Sequence, residues 1–150
     1  MPKAIPDEFR GATPLLAIKN APAAIEFYKK AFGATELMRL AEPNGTIAHA
    51  EIRVGSAVVM IAEENPQFNK SPATLKGTSV ILMVYFEDVD RVFNQAVSAG
   101  AKVIFPLKDQ FYGDRSGRVE DPFGHMWMLA THKEDLSADE MQRRFNDFFK

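Results

Sequence analysis

An internal repeat restricts the fold of this chain more than any other feature. Ala31-Phe32-Gly33-Ala34 falls opposite Ser98-Ala99-Gly100-Ala101, so Gly33 and Gly100 stand 67 positions apart (100 − 33). In both places a stretch of helical apolar periodicity ends at glycine, the residue that best tolerates the left-handed conformation closing a helix. The first predicted helix follows Asn20, a capping residue, with Pro22 where a missing N–H costs nothing. Ile25, Tyr28 and Phe32 recur on one face of it, with Ala24, Phe27 and Ala31 beside them. The second is capped by Asp88 and carries Val89, Val92, Phe93, Ala96 and Val97 on its buried face.

Each helix has one apolar strand before it and three after it. In the first half these are Thr13 to Ile18, Thr35 to Ala41, Ile47 to Val54 and Ala57 to Ala62. The second half offers Ser79 to Phe86, Lys102 to Leu107, Arg115 to Glu120 and Met126 to Thr131. Asn44-Gly45 predicts a two-residue hairpin turn. The expected class is α+β, with two βαβββ repeats and curved mixed sheets around a cup, in one domain over residues 1–150. Repeat 1 covers about residues 12–64 and repeat 2 about 78–132, joined over about 65–77 by a linker rich in turn signals, Asn65-Pro66, Ser71-Pro72 and Gly77. A C-terminal helix over about 137–150 opens on a capping box, Ser137 and Glu140, and bears Met141, Phe145 and Phe148 as a stripe. Neither half is large enough to cover both faces of its own sheet, so the halves must pack together. A four-stranded sheet curves away from the helix on it, and the concave face that remains predicts a cup filled by a small molecule.

The composition argues against several other classes. A net charge of −2 gives no electrostatic reason to expect nucleic acid or an anionic membrane as partner. The longest apolar run, about Val80 to Phe86, is far short of the roughly 20 residues that cross a bilayer. Met1 to Glu8 offers no apolar stretch of the kind a signal peptide uses. The chain has no cysteine, which excludes disulfides, thiolate metal sites and a cysteine nucleophile and fits a cytoplasmic protein.

Asp121-Pro122-Phe123-Gly124-His125-Met126-Trp127-Met128-Leu129 is a turn before a final apolar strand. It resembles the second half of the vicinal oxygen chelate superfamily: the glyoxalase, bleomycin-resistance and extradiol-dioxygenase proteins. Ala24 to Ala34 is similar to that superfamily's first helix. Tyr112-Gly113-Asp114-Arg115 and the run from Ala130 to Ser137 resemble its PhnB-like branch. The resemblance covers about residues 12–132 and implies a homodimer. It also implies that metal-dependent members place His, Gln or Glu ligands on the first and last strands of each unit. Those places fall here at Thr13, Met60, Ile81 and Met128. A hydroxyl, two thioethers and an alkyl chain do not hold a hard divalent cation. Neither a metal nor another cofactor is therefore expected.

Strand alternation predicts what lines the cup. Met60 and Met128 face inward with Val58, Ala62, Met126 and Ala130, and the fifth strand adds Ser79, Ile81, Met83 and Tyr85. This lining is soft and apolar, suited to an irregular ligand, and methionines at alternate positions equally suit core packing. His49 and Glu51 are its polar members, placed on one face with Ile47 and Arg53. They suit a base with its orienting carboxylate, a polar anchor, or a surface pair. Tyr112 and Arg115, beside Phe111, form a second cluster suited to planar anions or to a plain surface loop. His125 reads as a turn residue, and His132 lies at a strand end. Three functions fit: a metal-free small-molecule binder, an enzyme with a displaced metal site, or a lyase, isomerase or hydrolase using His49 as base. No glycine-rich loop follows a strand, so a nucleotide-type cofactor finds no support.

Overall fold

A computed structural model describes residues 1–150. The first half forms β1 (Leu15–Ile18), α1 (Ala21–Phe32), β2 (Thr35–Ala41), β3 (Ile47–Val54) and β4 (Ala57–Glu63). After a short helix α2 (Pro72–Leu75) come β5 (Ile81–Tyr85), α3 (Val89–Ala99), β6 (Lys102–Asp109), β7 (Asp114–Glu120) and β8 (Met126–His132). Helix α4 (Ala138–Asn146) ends in one 3₁₀ turn over Asp147–Phe149. The sheets run β1-β4-β3-β2 and β5-β8-β7-β6, each with one parallel pair, β1 with β4 or β5 with β8, and otherwise antiparallel. This is the α+β, glyoxalase-like repeat architecture with its C-terminal helix.

The helix signals act as the local chemistry dictates. Asn20 accepts from the Ala23 N–H, and Gly33 closes α1 at φ 66°. The Glu63 carboxylate, at the end of β4, also accepts from the Asn20 and Ala21 N–H groups at 3.0 and 2.7 Å, which fixes the helix start to its own sheet. In α3 the Asp88 side chain accepts from Arg91 N–H, and Val89, Val92, Phe93 and Ala96 are buried. Val97 is not. It stays 38% exposed on the flank of the stripe. Ser137 caps α4 through Glu140 N–H, but the Glu140 carboxylate turns to Arg143 and Arg144, so only half of the expected capping box forms. The α4 stripe buries no residue; Phe145 and Phe148 rest on Phe111 with ring centroids 5.6 and 5.3 Å away.

Two turns differ from the expectation for physical reasons. A two-residue Asn44-Gly45 hairpin would require the N–H of residue 43 to pair with Thr46, and residue 43 is proline. The loop widens by one: Glu42 donates to Thr46 O, and Gly45, at φ 89°, donates to Glu42 O. The stretch expected to be a linker contains α2, capped by Ser71 and started by Pro72.

Helices α1 and α3 lie against each other, and the core joins both halves. Tyr28 and Phe32 of α1 meet Trp127 of β8 with ring centroids 5.3 and 4.9 Å apart. Asp121, ahead of β8, ties them together. Its Oδ2 accepts from Tyr28 O–H at 2.6 Å and Trp127 Nε1–H at 2.9 Å. Its Oδ1 accepts from the Phe123 and His125 N–H groups. Burial and the adjacent carboxylate push the Tyr28 hydroxyl well above the ordinary tyrosine value, so it stays a donor. The motif Asp121 to Leu129 is thus the joint between the two units. The buried His125 extends that joint, its Nε2 lying 3.1 Å from the Ala17 carbonyl of β1.

Candidate functional site

Because the helices pack on each other, each sheet keeps one face clear of them within the chain. On the second sheet the register sets three rows on that open face: Ile81, Met126, Glu120 and Lys102; Met83, Met128, Arg118 and Phe105; Tyr85, Ala130, Ser116 and Lys108. Alternate residues of the same strands, Val84, Trp127, Leu129 and Val119, fill the core. On the first sheet Leu15, Met60, Glu51 and Met38 form one row, and His49 stands opposite Leu40. The two sheets do not close on each other, so each open face is half of a cup rather than a finished one.

Met60, Met126 and Met128 are half-buried on these faces, and Ile81, Met83 and Tyr85 are 41–51% exposed. In β1 it is Leu15, not Thr13, that stands opposite Met60, because the strand starts two residues later than expected. The donor set does not fit a metal: Thr13, Leu15, Met60, Ile81, Met126 and Met128 supply no imidazole or carboxylate. No three His, Asp or Glu side chains gather into a metal-binding group anywhere in the chain.

His49 and Glu51 do share the open face, with His49 Nε2 3.2 Å from Glu51 Oε1. Ile47 does not join them. It is fully buried, because β3 places His49 opposite Leu40 but Ile47 opposite Ala41, two steps against one. The extra residue at this bulge reverses the alternation.

Tyr112 and Arg115 are not brought together. Tyr112 O–H lies 3.3 Å from Ser116 Oγ on the open side. Arg115 points to the other side of β7 and binds Asp90 of α3 through two 2.8 Å hydrogen bonds, with Asp109 at 3.3 Å. The arginine on the open face is Arg118, over Phe105 with its guanidinium carbon 5.1 Å from the ring centroid. Sequence reasoning missed it, although counting back by twos from Glu120 reaches it. Arg118, Phe105, Lys108, Gln110, Tyr112 and Met128 surround a cavity of about 390 Å³. Strand β6 shapes it: the register slips once between Val103 and Phe105 and again between Phe105 and Lys108, around Pro106. Irregularities of this kind bend an edge strand locally.

A polar chain borders this region. Tyr85 O–H donates to Asp114 Oδ2 at 2.7 Å, and His132 bridges Asp114 and Asp135 at 2.8 Å to each. The hydrogen bond to Asp114, with some burial, pushes the Tyr85 hydroxyl up to about 12. Asp114 and then Asp135 hold the His132 imidazole above its ordinary value.

The repeat, the two half-cups and the Asp121 joint agree with a match over residues 12–129 to the sequence model of the Glyoxalase/Bleomycin resistance protein/Dioxygenase superfamily. The chain belongs to this superfamily. It is 41% identical to Rv0887c of Mycobacterium tuberculosis strain H37Rv over 134 residues, 87% of this chain and 79% of that protein. The crystal structure of TioX from Micromonospora sp. ML1 matches at TM-score 0.66 with 29% identity, over 85% of this chain and 99% of that one. A PhnB protein from Bacillus cereus shares the fold at TM-score 0.62 with 21% identity, over 81% and 99% of the chains. No helix is long and apolar enough to cross a membrane.

Proposed function

We propose that this chain is a small-molecule-binding member of the superfamily, of the PhnB-like branch, that works without a metal and as a homodimer. The observation that carries this reading is the character of the open faces. They hold soft, uncovered apolar side chains, Met60, Ile81, Met83, Tyr85 and Met128, where a metal enzyme would hold imidazole or carboxylate. A second copy covering the two half-cups would remove this surface from water and enclose a ligand.

Native mass spectrometry of the protein taken from cells tests it. The expected species is a dimer of the 16.8 kDa chain carrying a small organic adduct, with no stoichiometric metal by elemental analysis. A bare 16.8 kDa monomer at micromolar concentration would remove the dimer from this reading. One equivalent of zinc, nickel, iron or manganese, with stability lost on chelation, would overturn the metal-free reading.

The His49–Glu51 pair favours a second reading, an enzyme in which His49 is a base oriented by Glu51. It predicts turnover that His49→Ala abolishes while ligand affinity changes little.

A further inference from the structure

Seven of the eight arginines hold a hydrogen-bond acceptor within the chain, among them Arg39, Arg53, Arg115 and Arg144. Arg118 alone holds none. Its Nε is shielded from water and has no partner, the only buried side-chain nitrogen or oxygen in the chain left so. A guanidinium offers five donors in a rigid fork; here the shielded Nε fixes the group against the sheet, and the two terminal nitrogens, also without an acceptor in the chain, stay open to a ligand. Phe105 lies under the group and keeps it in place, since a cation is held over an aromatic face.

The surrounding wall is complementary to an anion. Lys108 adds a second cation, and Gln110, Tyr112 and Ser116 add neutral hydrogen-bonding groups. No carboxylate lines the cavity, although the chain as a whole is negative. Glu120, next on that face of β7, lies outside the wall and makes no ion pair with Arg118. Beyond the cationic end the surface turns apolar, through Phe105, Met128 and the neighbouring Met83. About 390 Å³ holds one or two fused rings.

The geometry points to a planar aromatic carboxylate as the ligand class of this cavity, its carboxylate on the Arg118 fork and its rings against Phe105 and Met128. This rests on the small-molecule-binding reading and specifies the ligand class. Two parallel N–H···O bonds favour a carboxylate over a neutral isostere.

The test is calorimetric titration of the full chain with 1-naphthoate, 1-naphthamide, cyclohexanecarboxylate and inorganic phosphate. 1-Naphthoate is expected to bind at least about tenfold more tightly than the amide or the non-aromatic acid, and phosphate is expected not to displace it. Arg118→Gln should abolish the preference for acid over amide, Arg118→Lys should keep part of it, and Arg115→Gln should leave affinity unchanged. Circular dichroism and urea midpoints report whether each variant folds. Equal binding of acid and amide, unchanged affinity in folded Arg118→Gln, or displacement by phosphate would each overturn the assignment. If Arg118→Gln dissociates the dimer while 1-naphthoate still binds, Arg118 is an interface group and the assignment fails. If a different ligand is recovered from cells and binds Arg118→Gln as it binds the parent, only this inference fails. Absence of any ligand, recovered or titrated, would sink the binding reading as well.

Discussion

Asp121 and Arg118 stand three residues apart and occupy opposite conditions. Asp121 lies among core residues and accepts four hydrogen bonds, from Tyr28, Trp127, Phe123 and His125. Arg118 lies on the open face with donors and no acceptor. A saturated buried polar group specifies structure, because every neighbour would lose a partner if it moved. An unsaturated one at a cavity contributes little to the isolated chain and remains available to a ligand. The same contrast separates the two faces of each sheet, one closed by a helix and one open.

The largest expected effect follows from the saturated side. Asp121→Ala strands two buried side-chain donors and two turn N–H groups, and should cost about 3–5 kcal/mol, read from the urea midpoint. Arg118→Gln should change stability by less than about 0.5 kcal/mol. If the two variants lose comparable stability, the contrast between structural and available polar groups is wrong.

The sheet faces sharpen it next. Ile61 is fully buried on the helix side of β4, and Ile61→Ala should cost about 2–5 kcal/mol. Met60, its half-buried neighbour on the open side, should cost less than about 1 kcal/mol when changed to alanine, because little cavity is created in the isolated sheet. A Met60→Ala loss as large as that of Ile61→Ala would mean that a second copy packs directly on Met60 rather than enclosing a ligand-sized space above it.

His49→Ala should leave the urea midpoint nearly unchanged, since no large apolar volume is lost. If His49 anchors the ligand recovered from cells, that ligand should bind more weakly by about 1–3 kcal/mol. Unchanged binding with no turnover lost would make His49–Glu51 a surface pair.

The smallest effect concerns pH. His132 has its folded-state value raised above 6.5 by Asp114 and then Asp135. Its contribution to stability is therefore fully present below about pH 6.5 and is lost as pH rises through the higher folded-state value. Proton NMR of the imidazole should show a midpoint above 6.5, and Asp114→Asn should move it down. A midpoint at or below 6.5 in the parent would show that the bridge does not persist in solution.

The features legible in sequence were those decided within a few residues. Asn20, Gly33, Asp88 and Gly100 cap helices through contacts inside one turn, so both helices and the repeat could be read directly. The hairpin at Asn44-Gly45 was misjudged because Pro43, one residue earlier, cannot donate to the ladder. Ile47 was misplaced because a bulge reverses the alternation that correctly put His49 beside Glu51. At the site, strand alternation separates Arg115 from Arg118, but the pairing of Arg115 with Asp90, 25 residues away on α3, is not readable from neighbouring residues. Such long-range pairing leaves no local signal in the chain.

The Tyr28–Asp121 bond joins residues 93 positions apart, and this bears on how the protein is made. At about 5–20 residues per second, the first βαβββ unit, complete at Glu63, waits roughly 3–12 s on the ribosome before its partner turn is synthesised. Throughout that interval Tyr28 and Phe32 lack the indole that covers them in the finished molecule. The nascent half-protein is therefore an aromatic-faced intermediate exposed to chaperones and proteases, and a stop codon anywhere before Asp121 would leave it so permanently.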